Sequence, residues 1–164
     1  MTSRRVKRRR GGGFDLRIPP EERDLLRSLG PQMREVLTQQ AALTQQGDPA
    51  VDRLFPVAYP DDQDRQTEYR LLVHDELLSS HLAALTVLEE TAGAERLDED
   101  QLSAWMRAVN EVRLVLGTRL DVTQEGDERP TDESDPRAAT FAVYDYLTYL
   151  QGEIIDVLSE SFRA

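Results

Sequence analysis

The chain has 164 residues, a length at which one domain can bury a continuous core without disulfides or a structural metal. Hydrophobic residues make up 39% and charged residues 31%, with leucines recurring at helical spacing, which excludes a disordered chain. Having no cysteine removes disulfides, thiolate metal sites and thiol redox chemistry, and a formal net charge of −11 argues against broad contact with phosphate backbones.

The charge is divided unevenly along the chain. All 20 basic residues except Lys7 are arginine, and Arg4, Arg5, Lys7, Arg8, Arg9 and Arg10 place six positive charges in a segment without acids. Taking these six from the total leaves −17 on residues 11–164. Residues 1–13 therefore read as a basic arm or the first strand of a hairpin, and residues 14–164 as a single helical domain. Gly11-Gly12-Gly13 marks a turn, and Phe14-Asp15-Leu16-Arg17-Ile18 alternates with the period of a strand. Three readings stay open here: a hairpin whose exposed edge the arginines decorate, an arm whose six basic residues contact nucleic acid, and a disordered tail. No apolar run follows the basic residues as in a signal peptide, and no apolar stretch reaches membrane-span length, so no membrane partner is expected and the cytoplasm is the simplest address.

Pro19-Pro20 followed by Glu21 and Glu22 suits a helix start, since proline needs no amide donor in the first turn and carboxylates complement the positive end of the helix dipole. Leu25, Leu26, Leu29, Met33, Val36, Leu37, Ala41 and Leu43 carry this helix to about Gly47, with a kink expected at Gly30-Pro31. Residues 48–62 hold Pro49, Pro56 and Pro60 with Leu54, Phe55, Val57 and Tyr59 between them, an ordered connector that lays apolar groups on the core. From Asp62 to Glu90, Tyr69, Leu72, Val73, Leu77, Leu82, Leu85 and Leu88 trace the longest helix. Asp98 stands three before Gln101 as a capping box, and Leu102, Trp105, Met106, Val109, Val112 and Leu116 follow to Gly117. Thr123 to Asp135 reads as an acidic solvated loop. Asp135-Pro136 then starts a last helix bearing Phe141, Tyr144, Leu147, Ile154, Leu158 and Phe162. The expected fold is mainly α, a four-helix bundle or orthogonal array, with a short N-terminal β-hairpin as an addition.

No motif assembles a catalytic, cofactor or metal site. His74 and His81 are seven apart, about 10 Å along a helix axis, too far to share one metal. No Walker, Rossmann or Gly-x-Ser-x-Gly pattern occurs. Asn110 and Arg113 border an apolar stripe, and an inward arginine needs a carboxylate, for which Glu68 or Glu76 on the preceding helix is the expected partner; these four residues are the candidate structural network. Tyr144, Tyr146 and Tyr149 cannot all face one side of the last helix, so with Trp105 they form the candidate partner surface, which leaves a homo-oligomer open.

Trp105, the run Asn110-Glu111-Val112-Arg113-Leu114-Val115-Leu116-Gly117-Thr118-Arg119-Leu120, then Tyr144-Asp145-Tyr146-Leu147 and Leu150-Gln151, with Arg53-Leu54-Phe55-Pro56 and Glu68-Tyr69-Arg70, carry a resemblance. Together they resemble an actinobacterial domain-of-unknown-function family, across nearly the whole chain. The resemblance implies a gene neighbourhood shared with the adaptor of the Clp protease and kinship with an oxidative-stress-responsive transcriptional regulator. It brings no catalytic residues and no cofactor. The cysteine redox switch it implies for the regulator has no counterpart in a chain without cysteine. The expectation is a non-enzymatic regulatory protein acting through protein contacts, with the transcription machinery as partner and DNA reached only through the N-terminal arm. An adaptor tied to regulated proteolysis and an enzyme with an unrecognised site are the alternatives.

Overall fold

The computed structural model describes residues 3–42, 49–52, 54–55, 57–120 and 129–163. Among them the fold is mainly helical, with four long helices, a short one, and a small antiparallel sheet at the N-terminal end. The elements are β1 (Val6–Arg8), β2 (Phe14–Leu16), α1 (Pro20–Ala42), α2 (Pro49–Asp52), α3 (Gln63–Thr91), β3 (Arg96–Leu97), α4 (Glu99–Arg119) and α5 (Pro136–Arg163). The strands lie in the order β1-β2-β3.

Of the three readings of the N-terminal segment, the hairpin forms, in the register Val6↔Leu16 and Arg8↔Phe14. Val6, Phe14, Leu16 and Ile18 are all buried, so the alternation of the second strand becomes one covered face. Gly12 and Gly13 both hold a positive φ in the turn, where a side chain would be strained. The sheet gains a third strand that periodicity did not reveal: Phe14 pairs with Leu97, and the Leu16 amide donates to the Glu95 carbonyl.

Three of the long helices begin at an aspartate cap. The Asp98 carboxylate accepts from the Gln101 amide at 2.7 Å and the Gln101 side chain accepts from the Asp98 amide at 3.0 Å, the reciprocal box expected from the sequence. Asp62 caps α3 by accepting from the Arg65 amide, and Asp135 accepts from the Arg137 amide at the start of α5. α1 runs unbroken through Pro31. The Arg23 guanidinium donates to the carbonyls of Ile18, Ala92 and Ala94, which ties α1 to the segment after β2 and to the turn after α3 and places a cation at the C-terminal end of α3.

The core is one cluster. Leu26 and Leu37 of α1, Val51 of α2, Leu85 and Leu88 of α3, Leu102, Trp105 and Val109 of α4, and Leu147, Leu150 and Ile154 of α5 meet in it, each essentially without solvent contact. Several expected core groups are not there. Val57 and Tyr59 of the connector are 57% and 41% exposed, and Leu72 is 80% exposed with its neighbour Leu71 at 77%. α3 buries only Ala84, Leu85 and Leu88, all in its C-terminal third; its first half meets the connector through Tyr69 and His74 but leaves Leu71 and Leu72 uncovered among the described residues. α3 is also long and apolar enough, by composition alone, to cross a membrane. Leu43, Gly47, Arg53, Pro56 and Thr123 to Glu128, named in the sequence reading, lie outside the described residues.

Candidate functional site

The polar side chains that the fold brings together serve mainly to join elements. The network expected from the sequence is not the one observed. Arg113 lies half-buried toward α5, where its Nε donates to Thr148 Oγ1 at 2.8 Å and its guanidinium stacks 5.2 Å above the Tyr144 ring. Asn110 also faces α5, its Oδ1 accepting from Gln151 Nε2 at 2.9 Å. Glu68 and Glu76 stay exposed on α3. The expectation failed because Arg113 keeps enough solvent, a hydroxyl and a ring face to need no carboxylate.

The buried acid is Glu111, one position along from Asn110 and 3% exposed. Its Oε1 lies 2.6 Å from His81 Nδ1, while His81 Nε2 lies 3.0 Å from the Leu54 carbonyl oxygen. A carbonyl only accepts, so Nε2 carries a hydrogen and donates. The remaining proton sits between Nδ1 and Oε1, either as imidazolium facing carboxylate or as imidazole facing carboxylic acid. Burial pushes the Glu111 carboxyl up, and its hydrogen bond to Glu111 pushes the His81 imidazole up, so the pair holds this proton to higher pH than either group would in water. Arg107 of α4 faces both and opposes the two shifts. Phe55 stacks on His74 at 4.6 Å and meets His81 edge-on at 5.5 Å, closing the pair beneath the connector. The two histidines thus share one aromatic neighbour. The arrangement is a clasp: the His81 ring joins α3 to α4 through the proton shared with Glu111 and to the connector through its Nε2 hydrogen.

A second clasp holds the first strand. Arg5 donates from Nε and Nη2 to the two oxygens of Glu22, at 2.9 and 2.7 Å, and the backbone amides of Arg5 and Val6 donate to Glu153 Oε2 of α5. The bidentate contact holds the Glu22 carboxyl below the usual carboxylate range and pushes the guanidinium further up. The Tyr146 hydroxyl is buried beside Glu22 without a well-aligned hydrogen bond, and burial followed by that neighbouring carboxylate drives its pKa far up. Arg9 is 3.3 Å from Asp15, and Arg4 reaches Glu160 only at 4.0 Å. Of the six basic residues at the N-terminus, Arg5 is thus committed to the fold, while Lys7, Arg8 and Arg10 point to solvent.

The candidate partner surface divides. Trp105 is fully buried, and its indole N–H donates to Thr91 Oγ1 at 2.6 Å, so it belongs to the core. Tyr146 faces inward. Tyr144 is half-buried under Arg113 and closes on Gly117, where an added Cβ would lie 3.1 Å from its ring. Tyr149 is 41% exposed and donates to Glu153 Oε1. Among the described residues no three of His, Asp and Glu converge as a metal site would require. A shallow open groove lined by Val57, Tyr59, Gln66 and Arg70 runs beside the first turns of α3.

What emerges is a small helical protein whose two polar clasps, at Glu111 and at Arg5, join its own elements. The chain belongs to the family described as domain of unknown function DUF2017, whose model matches residues 3–158. It is similar to the oxidative stress regulator AosR of Mycobacterium bovis and of Mycobacterium tuberculosis, in each case with 30% identity over 192 aligned positions, covering 96% of this chain and 88% of the relative. It is also similar to the putative oxidative stress regulator AosR of Mycobacterium leprae, with 32% identity over 125 positions, or 66% of this chain and 57% of that protein. The relatives are named as regulators, not as enzymes. No solved structure matches the chain.

Proposed function

We propose that this chain is a non-enzymatic regulatory protein that works by protein contact in the transcriptional response to oxidative stress. Its similarity to a named oxidative stress regulator spans 96% of the chain and supports the regulatory role. One structural observation supports the contact mechanism: Leu71 and Leu72 stand 77% and 80% exposed in the first half of a 29-residue helix, among the acids Glu68, Asp75 and Glu76. Two leucines kept in water forgo about 1.5–3 kcal/mol each of burial, which a partner would recover. An apolar patch with an acidic rim fits a partner segment that is apolar with basic flanks, and RNA polymerase or a sigma factor is the partner class this reading favours. Because the chain has no cysteine, oxidation of its own thiols supplies no signal, and the stress input reaches it through its partner or its abundance.

The test is crosslinking mass spectrometry on the tagged protein purified from its own host, beside a Leu71→Glu/Leu72→Glu variant. The proposal expects transcription proteins crosslinked near α3 and lost in the variant, with helicity and thermal midpoint unchanged. Recovery of Clp components alone would replace this reading with that of a proteolysis adaptor. Recovery of no partner in stressed cells would overturn both.

A further inference from the structure

The outward face of α5 holds a glycine where a helix least favours one. Gly152 lies in the middle of a 28-residue helix, and a Cβ built on it would meet nothing within 4 Å. The intramolecular packing therefore does not require glycine, which in a helix interior is inferior to alanine. Tyr149 and Ile155, three residues to either side, are 41% and 45% exposed. The row Tyr149, Gly152, Ile155 thus presents two apolar shoulders around a notch, on the side of α5 away from the core residues Leu147, Leu150, Ile154 and Val157.

We infer that this face of α5 is the contact of a symmetric homodimer, with a two-fold axis passing through Gly152. Such an axis sets two copies of α5 antiparallel and places each residue opposite the one equally far on the other side of Gly152. With the two helices crossed at about −50°, the class in which rows four residues apart interdigitate, Thr148 meets Asp156 of the second copy and Tyr144 meets Glu160, while Tyr149 and Ile155 flank the crossing and Asp145 stays with Arg129 of its own copy. No acid is set against an acid, although the chain carries −11 overall and most faces would repel their own image. Arg113 supplies the complement. Because it is bonded to Thr148 and stacked on Tyr144, it sits where the second copy presents Asp156 and Glu160, and the two-fold repeats this pairing. Glu160 also lies 4.0 Å from Arg4 of its own copy, so Asp156 is the principal acid. The notch at Gly152 lets the two backbones approach at the crossing. This inference stands apart from the regulatory reading, because its readout is the mass of the purified protein in solution.

The test is sedimentation velocity on the full chain together with three variants. Wild-type protein is expected to show a monomer–dimer equilibrium. Arg113→Glu is expected to weaken it roughly tenfold or more, since it sets like charges together twice, and adding Asp156→Arg to the same chain restores it by reversing the pair. Under mild oxidation, Gly152→Cys is expected to give a covalent dimer, because its thiol faces its own image across the axis, whereas Glu21→Cys on the exposed start of α1 stays monomeric; a chain without cysteine makes the comparison clean. A wild-type protein that is monomeric at its highest soluble concentration overturns the proposal. So does a dimer that neither responds to the charge reversal nor crosslinks faster through Gly152→Cys than through Glu21→Cys.

Discussion

Glu111 and His81 show how one proton can couple stability to pH. Both groups are pushed up in the folded chain, Glu111 chiefly by burial and His81 chiefly by its bond to Glu111. With one proton shared, the pair binds as many protons as the unfolded Glu and His between their two ordinary values, and above the ordinary imidazole value the native state binds more, so stability falls with rising pH there. The contribution of the pair is complete below the unfolded imidazole pKa and declines as pH rises through its raised value. Denaturant melts of the wild type at stepped pH should show this decline. Glu111→Gln should flatten it and cost about 1–3 kcal/mol, because the buried amide cannot take the place of the charge-assisted acceptor. In the sequence Glu111 is one of 31 acids, and nothing in its spacing marks it. It becomes distinct only when α3 crosses α4 and brings His81, 30 positions away, to its carboxylate. Trp105 belongs to the core and not to the expected partner surface for a related reason: a large side chain with one polar atom suits either place, and the hydroxyl of Thr91 that receives its N–H comes from another helix.

Elements were legible where local chemistry decides. The Asp98 and Gln101 box, the Asp135-Pro136 start and the alternation of Phe14, Leu16 and Ile18 each act within a few residues, and each forms as read. Periodicity does not say how far a neighbour extends, so Leu72 belongs to the stripe of α3 but not to the core. β3 is two residues long and exists only because β2 recruits it, so it left no pattern. The hairpin offers a paired test. Gly13 holds φ +77 and a Cβ there would lie 3.0 Å from the Leu97 carbonyl oxygen of β3, whereas Gly11 has nothing within 4 Å. Gly13→Ala should cost about 1–3 kcal/mol from strain and from forcing the strands apart, while Gly11→Ala stays within about 0.5 kcal/mol, both measurable as thermal shifts.

For the molecule as a whole, charge is the main constraint on partners. The body carries −17 against six basic residues at the N-terminus, and of those Arg5 is bound to Glu22 and Arg9 lies beside Asp15. Had all six met phosphates, the slope of log K against log salt would be about −5; with Arg4, Lys7, Arg8 and Arg10 outward it should be no steeper than about −4. Fluorescence titration of duplex DNA over a salt series checks this, and a steeper slope would mean that Arg5 leaves Glu22 to bind. The three-way division of the candidate tyrosines, into Tyr146 inside, Tyr144 under Arg113 and Tyr149 outside, could not be read from spacing, because three faces of α5 meet three different neighbours.

The clasp on Arg5 joins positions far apart in synthesis. Glu22 follows Arg5 by 17 residues, but Glu153 follows it by 148, and the two amides that Glu153 receives belong to the edge of the sheet. A ribosome emits β1 long before α5, so during translation the hairpin waits with that edge unpaired, open to any strand or chaperone nearby. The last helix to be made thus closes the first strand, and a nascent chain halted before Glu153 would be open to protease at its opposite end.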